Sequence, residues 1–273
     1  MTEANQAARV RVGIGGWTFA PWRDNFYPAG LAHSKELGYA SRQLTAIEIN
    51  GTFYSAQKPA TFAKWRDETP DGFVFSVKAS QYATHRRVLA EAGESVERFV
   101  NGGVAQLGPK LGPIVWQFMR TKQFDAQDFG AFLALLPASV EGLRLRHVVD
   151  VRHESFKSPE FIALIRRHGV AAVLTDALDL PSFANPTADF VYARLMCSRA
   201  EIAQGYPAGE LDAVAACARC WAVGGEPADL PMVAEPAEAS VPAAAPRDVF
   251  VYFINGAKER APAAARALLQ RLA

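Results

Sequence analysis

Eight short, β-rich apolar runs recur along the chain, and stretches with helical spacing of apolar residues separate most of them. This alternation is typical of strand–helix units whose strands run parallel in a single sheet. An α/β fold with eight such strands is either an open doubly wound sheet or a closed (β/α)₈ barrel. The predicted strands are Val10–Gly15, Ala46–Asn50, Phe73–Lys78, Pro113–Phe118, His147–Arg152, Ala171–Asp176, Phe190–Met196 and Asp248–Asn255.

The side-chain pattern inside these strands favours the barrel. Polar and apolar residues alternate where three of the strands end, in the runs IEIN (47–50), FSVK (75–78) and VDVR (149–152). Successive side chains of a strand point to opposite faces, so each of these strands has one apolar and one polar face. Strands of an open parallel sheet are covered by helices on both faces and are apolar throughout. We therefore predict a single (β/α)₈ TIM-barrel domain over residues 1–273, with polar side chains in its mouth.

Three parts of the chain are expected to depart from the repeat. Only about 13 residues separate Asp176 from Phe190, and they include two prolines, so the helix after strand 6 is expected to be short or missing. Residues 226–247 are rich in Pro, Ala and Glu and have little to bury, which predicts a mobile Pro/Ala-rich loop before strand 8. Residues 1–9 are expected to be a flexible N-terminus.

Start signals mark several of the helices. Ser158 is followed by a proline, which is a favourable pair for the cap and first position of a helix, and Asp125 can cap the next apolar stretch in the same way. Further helices are predicted over residues 91–107, 210–223 and 258–272.

Charge and cysteine usage exclude several classes of protein. The 29 basic and 28 acidic residues nearly balance, so no overall field draws the chain to nucleic acid or to an anionic membrane. There is no apolar run of the roughly 20 residues that a membrane span needs, and we expect a cytoplasmic protein without a membrane partner. Three cysteines do not form a disulfide framework, and Cys217 and Cys220 are expected to be small buried residues of one helix, not metal ligands.

Polar side chains gather at the predicted carboxyl ends of the strands, where barrels of this kind have their active sites. Six of them are ionisable, three acidic and three basic. They form either a self-neutralising network that orders the barrel end or a site that handles a polar substrate. The residues are Trp17, Glu48, Asn50, Lys78, Gln117, Asp150, Arg152, Asp176, Arg194 and Asn255.

If the mouth is an active site, its charges have different expected roles. Glu48 and Asp150 are the candidate general acid and base, because a partly buried carboxyl can be tuned towards neutrality. Lys78, the third candidate catalytic residue, would stabilise negative charge together with Arg152 and Arg194. The remaining polar side chains of the mouth, including Asn255 beside the last helix, are candidate substrate contacts.

Three loops add candidates and leave alternatives open. His85 lies in the run THRR (84–87), which is either a contact for an anion or a solvated loop. Tyr54 follows the second strand and would either bind substrate or cover the core. His153 and Glu154 follow the fifth strand and could join nearby carboxylates around a divalent metal, although no zinc-ligand spacing is present. No cofactor is otherwise predicted.

The loop after the first strand is dense in aromatic residues. Trp17, Trp22, Phe26 and Tyr27 could form a small core of their own over the barrel. Alternatively, one or two of them could stack on a sugar or a nucleobase.

Several stretches resemble the YecE-like family of TIM-barrel proteins. They are GIGGWTFAPWRDNFYP, AIEINGTFYSAQKP, FVFSVKASQYATH, LGPIVWQF, VDVRHESF and VYARL, and together they cover nearly the whole chain. The resemblance implies a barrel similar in outline to sugar isomerases and abasic-site endonucleases, with no implied activity. The resemblance also keeps Asn255, in an altered turn. It supports these candidates: Trp17, Glu48, Asn50, Tyr54, Lys78, His85, Gln117, Asp150, Arg152 and Arg194. Met196, Cys197 and Phe156 depart from the pattern of the family.

Three functions are compatible with these features. The first is an enzyme that uses acid–base chemistry on a polar small molecule, either anionic or sugar-containing. The second is a non-catalytic protein that binds nucleic acid or a nucleotide with the aromatic loop and Arg86–Arg87. The third is a metal-dependent phosphoesterase.

Overall fold

Eight parallel strands close into a barrel in the computed structural model, which describes residues 9–230, 232–233 and 245–273. Each strand pairs with the next along the chain and the last pairs with the first, so the predicted α/β barrel is confirmed. All eight strands begin and end within two residues of their predicted bounds. They are β1 (Val10–Gly15), β2 (Ala46–Ile49), β3 (Val74–Lys78), β4 (Leu111–Gln117), β5 (His147–Asp150), β6 (Ala171–Thr175), β7 (Phe190–Leu195) and β8 (Asp248–Phe253).

Helices surround the barrel. Residues 176–189, between β6 and β7, are all described and contain no helix, as predicted from their length and prolines. A two-stranded antiparallel hairpin, Ser139–Val140 with Leu143–Arg144, precedes β5. The helices are α1 (Glu36–Gln43), α2 (Pro59–Glu68), α3 (Gln81–Thr84), α4 (Gly93–Val100), α5 (Ala126–Ala134), α6 (Pro159–Arg167), α7 (Ala208–Ala222) and α8 (Ala261–Leu272).

Hydrogen bonds at the first turns of α6 and α5 confirm the two predicted caps, whereas one other helix is shorter than predicted. The Ser158 hydroxyl accepts a hydrogen bond from the Phe161 amide at 3.1 Å, and Asp125 accepts one from the Asp128 amide at 2.8 Å. The helix predicted over 91–107 is divided into α4 and the 3₁₀ helix Val104–Lys110. Gly103, with a φ of 111°, interrupts it with a conformation that an α-helix does not contain.

The predictions for the cysteines, for the loop before β8 and for the N-terminus have the following outcomes. Cys217 and Cys220 lie in α7 as predicted, but both are half-buried and not fully buried. Most of the loop predicted over 226–247, and all but one residue of the predicted flexible N-terminus, lie outside the described residues. No helix in the part of the chain that the structure describes is long and apolar enough to cross a membrane.

The inward and outward faces of the strands have the predicted alternation. A cluster of apolar side chains, including Val74, Val148 and Phe250, fills the inside of the barrel away from the mouth. Outward-facing side chains such as Ile47 and Val149 pack in two larger clusters with the helices. Near the carboxyl ends, the inward positions become polar, and buried charged groups lie there.

Gly13 allows β1 to approach its neighbours closely. A Cβ at this inward position would lie 2.1 Å from the carbonyl oxygen of Ala46 and 3.1 Å from the ring of Tyr252. Because the first contact is with backbone of the paired strand β2, no rotamer change can relieve it. The barrel therefore requires glycine at this position.

We predict that Gly13→Ala destabilises the fold by about 3 kcal/mol, the upper part of the range for forcing an extra methyl group into a packed interior. Gly209→Ala is the matched control, because a Cβ there meets nothing within 4 Å and Gly209 lies in the first turn of α7. Urea unfolding measures both variants, and we expect the control to be as stable as the parent or slightly more stable. Equal losses in the two variants would contradict the close-approach argument.

Candidate functional site

Arg194, at the end of β7, joins two carboxylates from other strands. Its Nε and Nη2 donate to the two carboxylate oxygens of Glu48 at 3.1 and 3.0 Å, and its Nη1 donates to Asp150 at 2.5 Å. The Tyr192 hydroxyl donates to Glu48 as well, at 2.8 Å. Arg194 is 2% exposed and Glu48 0%, so these charge-assisted bonds form away from water. Glu48 therefore has both oxygens occupied and lies below the open mouth.

Arg152 continues this chain of alternating charges. Its Nε and Nη2 donate to the two oxygens of Asp150 at 3.3 and 3.0 Å, and Nη2 also donates to Gln117 at 2.8 Å. Its Nη1 makes no hydrogen bond to any of the residues that the structure describes, and the side chain is one-fifth exposed. Arg152 thus anchors Asp150 and keeps one nitrogen available to a ligand.

A cavity of about 740 Å³ opens above these charges at the mouth of the barrel. We call it the mouth cavity. Its volume is within the usual range for a site that binds a small molecule. The structure brings seven of the candidate site residues together in the lining of this cavity, which are Asn50, Tyr54, Lys78, Gln117, Arg152, Arg194 and Asn255.

Lys78 has an unusual environment in this cavity. The side chain projects from the end of β3, and the residue is 6% exposed. Its Nζ lies 3.9 Å from the centre of the Phe53 ring and makes no hydrogen bond or ion pair within the described residues. Burial, and next the positive charge of Arg194, lower the pKa of this amine to about 8, against the opposing effect of Glu48 and Asp150. Among the residues that the structure describes, the Phe53 ring is thus its one direct stabilising partner.

Lys258 is a lining residue that the sequence did not reveal. Its Nζ lies 4.8 Å from the centre of the Phe19 ring, and among the described residues it has no carboxylate partner. Burial lowers the pKa of this amine, while Glu48 acts in the opposite direction. Lys258 follows β8 by several residues, so strand alternation could not place it. The one available signal was its position three residues after Asn255, a candidate substrate contact beside the last helix.

The mouth cavity therefore has an excess of positive charge. Glu48 and Asp150 compensate Arg194 and Arg152, and at the rim Arg120 pairs with Asp179 at 2.8 Å. Lys78 and Lys258 make no ion pair with any acidic side chain in the described ranges. An anion entering the cavity would meet two amines and the free Nη1 of Arg152.

Asp176 does not line the cavity as expected for a substrate contact. Its carboxylate accepts hydrogen bonds from the Met196 amide at 2.6 Å and from the Tyr206 hydroxyl at 2.7 Å. A third bond comes from the amide of Cys197 at 3.3 Å. Burial and the nearby carboxylate raise the pKa of Tyr206. Asp176 therefore anchors the chain that leaves β7, and the predicted contact with substrate is not supported by its placement.

The loop after β3 also lies outside the mouth cavity. His85 packs against Phe53 with the ring centres 5.3 Å apart, and partial burial and the charge of Lys78 lower its pKa. Arg86 donates to the Tyr82 carbonyl at 2.9 Å and to the Ser95 hydroxyl at 2.8 Å. The phenyl ring of Phe53 contacts both His85 and the amine of Lys78. His85, Arg86 and Arg87 are not among the residues that line the mouth cavity.

The aromatic side chains of the loop after β1 have two different environments. Trp22, Phe26 and Tyr27 are buried and form the small core that the sequence suggested. Trp17 is half-buried, against the edge of Trp65 at 5.2 Å between ring centres, and lines a second cleft beside the mouth cavity.

The two candidate metal ligands after β5 have other partners. His153 Nδ1 lies 2.8 Å from the Ser155 hydroxyl, and Glu154 pairs with Lys157 at 3.0 Å. Across the described ranges there is no group of three or more His, Cys, Asp or Glu side chains that could hold a metal ion.

Proteins with related sequences or structures share this fold. The model of a family described as "Protein of unknown function DUF72" matches residues 11–273. The UPF0759 protein YecE of Escherichia coli K12 is 28% identical over 176 residues, which are 62% of this chain and 59% of YecE. The match thus spans less than two thirds of the length of that relative.

Two solved structures extend this likeness to the whole barrel. A DUF72 family protein from Thermotoga maritima is similar, with a TM-score of 0.70 and 21% identity over 96% of this chain and 98% of its own. D-psicose 3-epimerase, crystallised in the presence of D-fructose, has a TM-score of 0.53 at 12% identity, over 95% of this chain and 97% of its own. At these identities the likeness shows the fold alone.

We predict that Glu48→Gln lowers the free energy of unfolding by about 3 kcal/mol, because it leaves the buried Arg194 with an uncompensated charge. Glu94→Gln is the matched control, since Glu94 pairs with Arg98 in a bridge whose side chains are 79% and 77% exposed. Urea unfolding of the two variants compares them, and the control should unfold with the parent. A Glu48 variant as stable as the control would show that Arg194 does not need this partner.

Proposed function

The chain belongs to the DUF72 family, whose description gives no function, and we propose from its own side chains that it is an enzyme. It transfers a proton to or from a small anionic molecule that binds in the mouth cavity. The observation that carries the proposal is the unpaired amine of Lys78, which is buried at the floor of that cavity beside a layer of fixed charges.

Lys78 is suited to proton transfer by its environment. A general base or acid works best when its pKa lies near the pH of the reaction, because both protonation states are then accessible. The pKa of about 8 that burial and Arg194 give to this amine meets that condition, whereas an exposed lysine titrates above pH 10. Lys78 is therefore the proton-transferring residue, and not only a source of positive charge.

The substrate is anionic because the cavity is positive. Lys258, the free Nη1 of Arg152 and the protonated form of Lys78 present donors without acidic partners to its interior. A carboxylate or a phosphate would satisfy them, since each offers several acceptor oxygens to a planar guanidinium and to amines. Because these donors line a concave cavity at the mouth of the barrel and not a surface stripe, a small molecule fits them better than a nucleic acid.

Glu48 and Asp150 have a positioning role in this proposal, which revises the acid–base role that the sequence suggested for them. All four of their carboxylate oxygens accept hydrogen bonds from arginine, and neither residue lines the mouth cavity. They fix the guanidinium groups of Arg194 and Arg152 in place before the substrate arrives. Groups held in advance do not have to reorganise when charge develops on a substrate.

Solvent deuterium exchange tests the proposal without knowledge of the complete reaction. Dihydroxyacetone phosphate, fructose 6-phosphate and pyruvate are the probes, because each is an anion with an exchangeable C–H bond beside a carbonyl. Proton NMR in D₂O follows the loss of that C–H signal. We expect exchange with at least one probe. At probe concentrations far below saturation, where the rate reports the free enzyme, the rate rises with pH and levels off above about pH 8, as Lys78 becomes neutral.

The variants separate proton transfer from binding. Lys78→Met should slow exchange by at least about 100-fold, the usual effect of removing a general base. Lys258→Met should raise KM more than it lowers kcat, because Lys258 contributes to binding. Lys64→Met is the matched control, since that side chain is 67% exposed on α2 and does not line the cavity. Exchange that survives Lys78→Met, or a parent protein that neither binds nor exchanges any probe, would contradict the proposal.

A further inference from the structure

A second cleft, of about 350 Å³, opens beside the mouth cavity. Trp17, Phe19 and Trp65 supply its aromatic walls, and Ile49 contributes apolar surface. We call it the aromatic cleft. All three aromatic side chains are half-buried, so each keeps part of its ring open to the cleft.

The aromatic cleft adjoins the mouth cavity. Gly15, Asn50 and Lys258 line both, and they mark the boundary between the two spaces. The amine of Lys258 stands over the ring of Phe19, so a positive charge lies where the aromatic surface meets the charged surface. A single ligand could therefore place an apolar part in the cleft and an anionic part in the mouth cavity.

The rigidity of Trp17 distinguishes this surface from an incidental hydrophobic patch. The hydroxyl of Tyr27, buried in the small core behind it, donates to the Trp17 carbonyl oxygen at 2.5 Å. The indole ring rests against Trp65, with an angle of 80° between the ring planes, and against Phe75. The ring is thus held in place before any ligand binds, which reduces the entropy lost on binding.

The form of the cleft suits a flat ring. The backbone of three glycines, Gly15, Gly16 and Gly51, lines it, and a Cβ at either Gly16 or Gly51 would meet nothing within 4 Å. Flat ligands gain from aromatic walls because stacked and edge-to-face ring contacts add to the burial of apolar area.

We infer that the substrate of this barrel carries both a planar aromatic ring and an anionic group, joined by a short linker as the base and the phosphate of a nucleoside monophosphate are joined by ribose. The ring binds in the aromatic cleft, and the anionic group binds to Lys258 and Arg152 in the mouth cavity. The position of the anion rests on the proposed function, whereas the position of the ring rests on the aromatic cleft alone.

Two probes, one with and one without an aromatic base on the same ribose phosphate, test this inference. Isothermal titration calorimetry measures the affinity of the full chain for AMP and for ribose 5-phosphate, which lacks the base. We expect AMP to bind at least about tenfold more tightly, since stacking contributes roughly 1–3 kcal/mol per base and 1.4 kcal/mol is a factor of ten. Trp17→Leu should reduce that ratio to less than about threefold, by weakening AMP.

A control keeps the test independent of any general loss of stability. Tyr39→Leu also removes a half-buried aromatic ring, one that packs on Phe26 and Tyr27 and lies outside the aromatic cleft. It should leave the AMP to ribose 5-phosphate ratio at the parent value. If Trp17→Leu fails to fold, Gly51→Leu tests the same cleft by occupying it, with the same expected loss.

Each outcome decides between the two proposals. Equal affinities for AMP and ribose 5-phosphate would overturn the ring inference and leave the anion site intact. Adenosine, which lacks the phosphate, binding as tightly as AMP would support the ring site and count against the anion site. No binding of either probe would count against both.

Discussion

The ion pairs of Arg194 with Glu48 and Asp150 connect three barrel strands that are distant in the sequence, β7, β2 and β5. A guanidinium as deeply buried as this one would destabilise the fold severely without anions beside it. The two carboxylates compensate it, and because they carry one more charge than Arg194, Arg152 pairs with Asp150 as well. Because the carboxylates are already occupied in this layer, they do not pair with the lysines of the same mouth.

The charged side chains at this end of the barrel form two layers, a buried layer of ion pairs and a layer that lines the mouth cavity. The buried layer fixes the floor of the mouth cavity, and its Tyr192 hydroxyl links it to the apolar interior below. Above the floor, Lys78, Lys258 and one nitrogen of Arg152 face the cavity. The buried layer corresponds to the self-neutralising network that the sequence left open, and the substrate site that we propose lies directly above it.

Strand periodicity made much of this arrangement predictable. Inward and outward positions alternate strictly along a strand, so the sequence placed Glu48, Lys78, Asp150 and Arg194 at one end of the barrel. The same rule would have found Tyr192, two residues before Arg194. Loops follow no such rule. Lys258 was missed for that reason, and Asp176, one residue beyond β6, was expected in the cavity but bonds to the backbone after β7 instead.

Contacts between particular side chains could not be predicted from the sequence either. Alternation predicted that Glu48 and Asp150 point inward, but not that arginine occupies their oxygens, which removes them from the proposed acid–base chemistry. Nor could alternation show that Trp17 and Phe19 line a second cleft, whereas Trp22, Phe26 and Tyr27 of the same loop are buried.

The proposed proton transfer depends on Lys78 being a desolvated, unpaired amine at the floor of the barrel mouth. Measuring the pKa of Lys78 is the most direct test of this environment. NMR titration of the ε-methylene signals of ¹³C-labelled lysine gives the pKa of each lysine, and the signal missing from Lys78→Arg identifies the one in question. We predict a pKa of about 8, which rises when phosphate binds in the mouth cavity. A Lys78 that titrates above pH 10, like an exposed lysine, would contradict this environment and the proton transfer proposed from it.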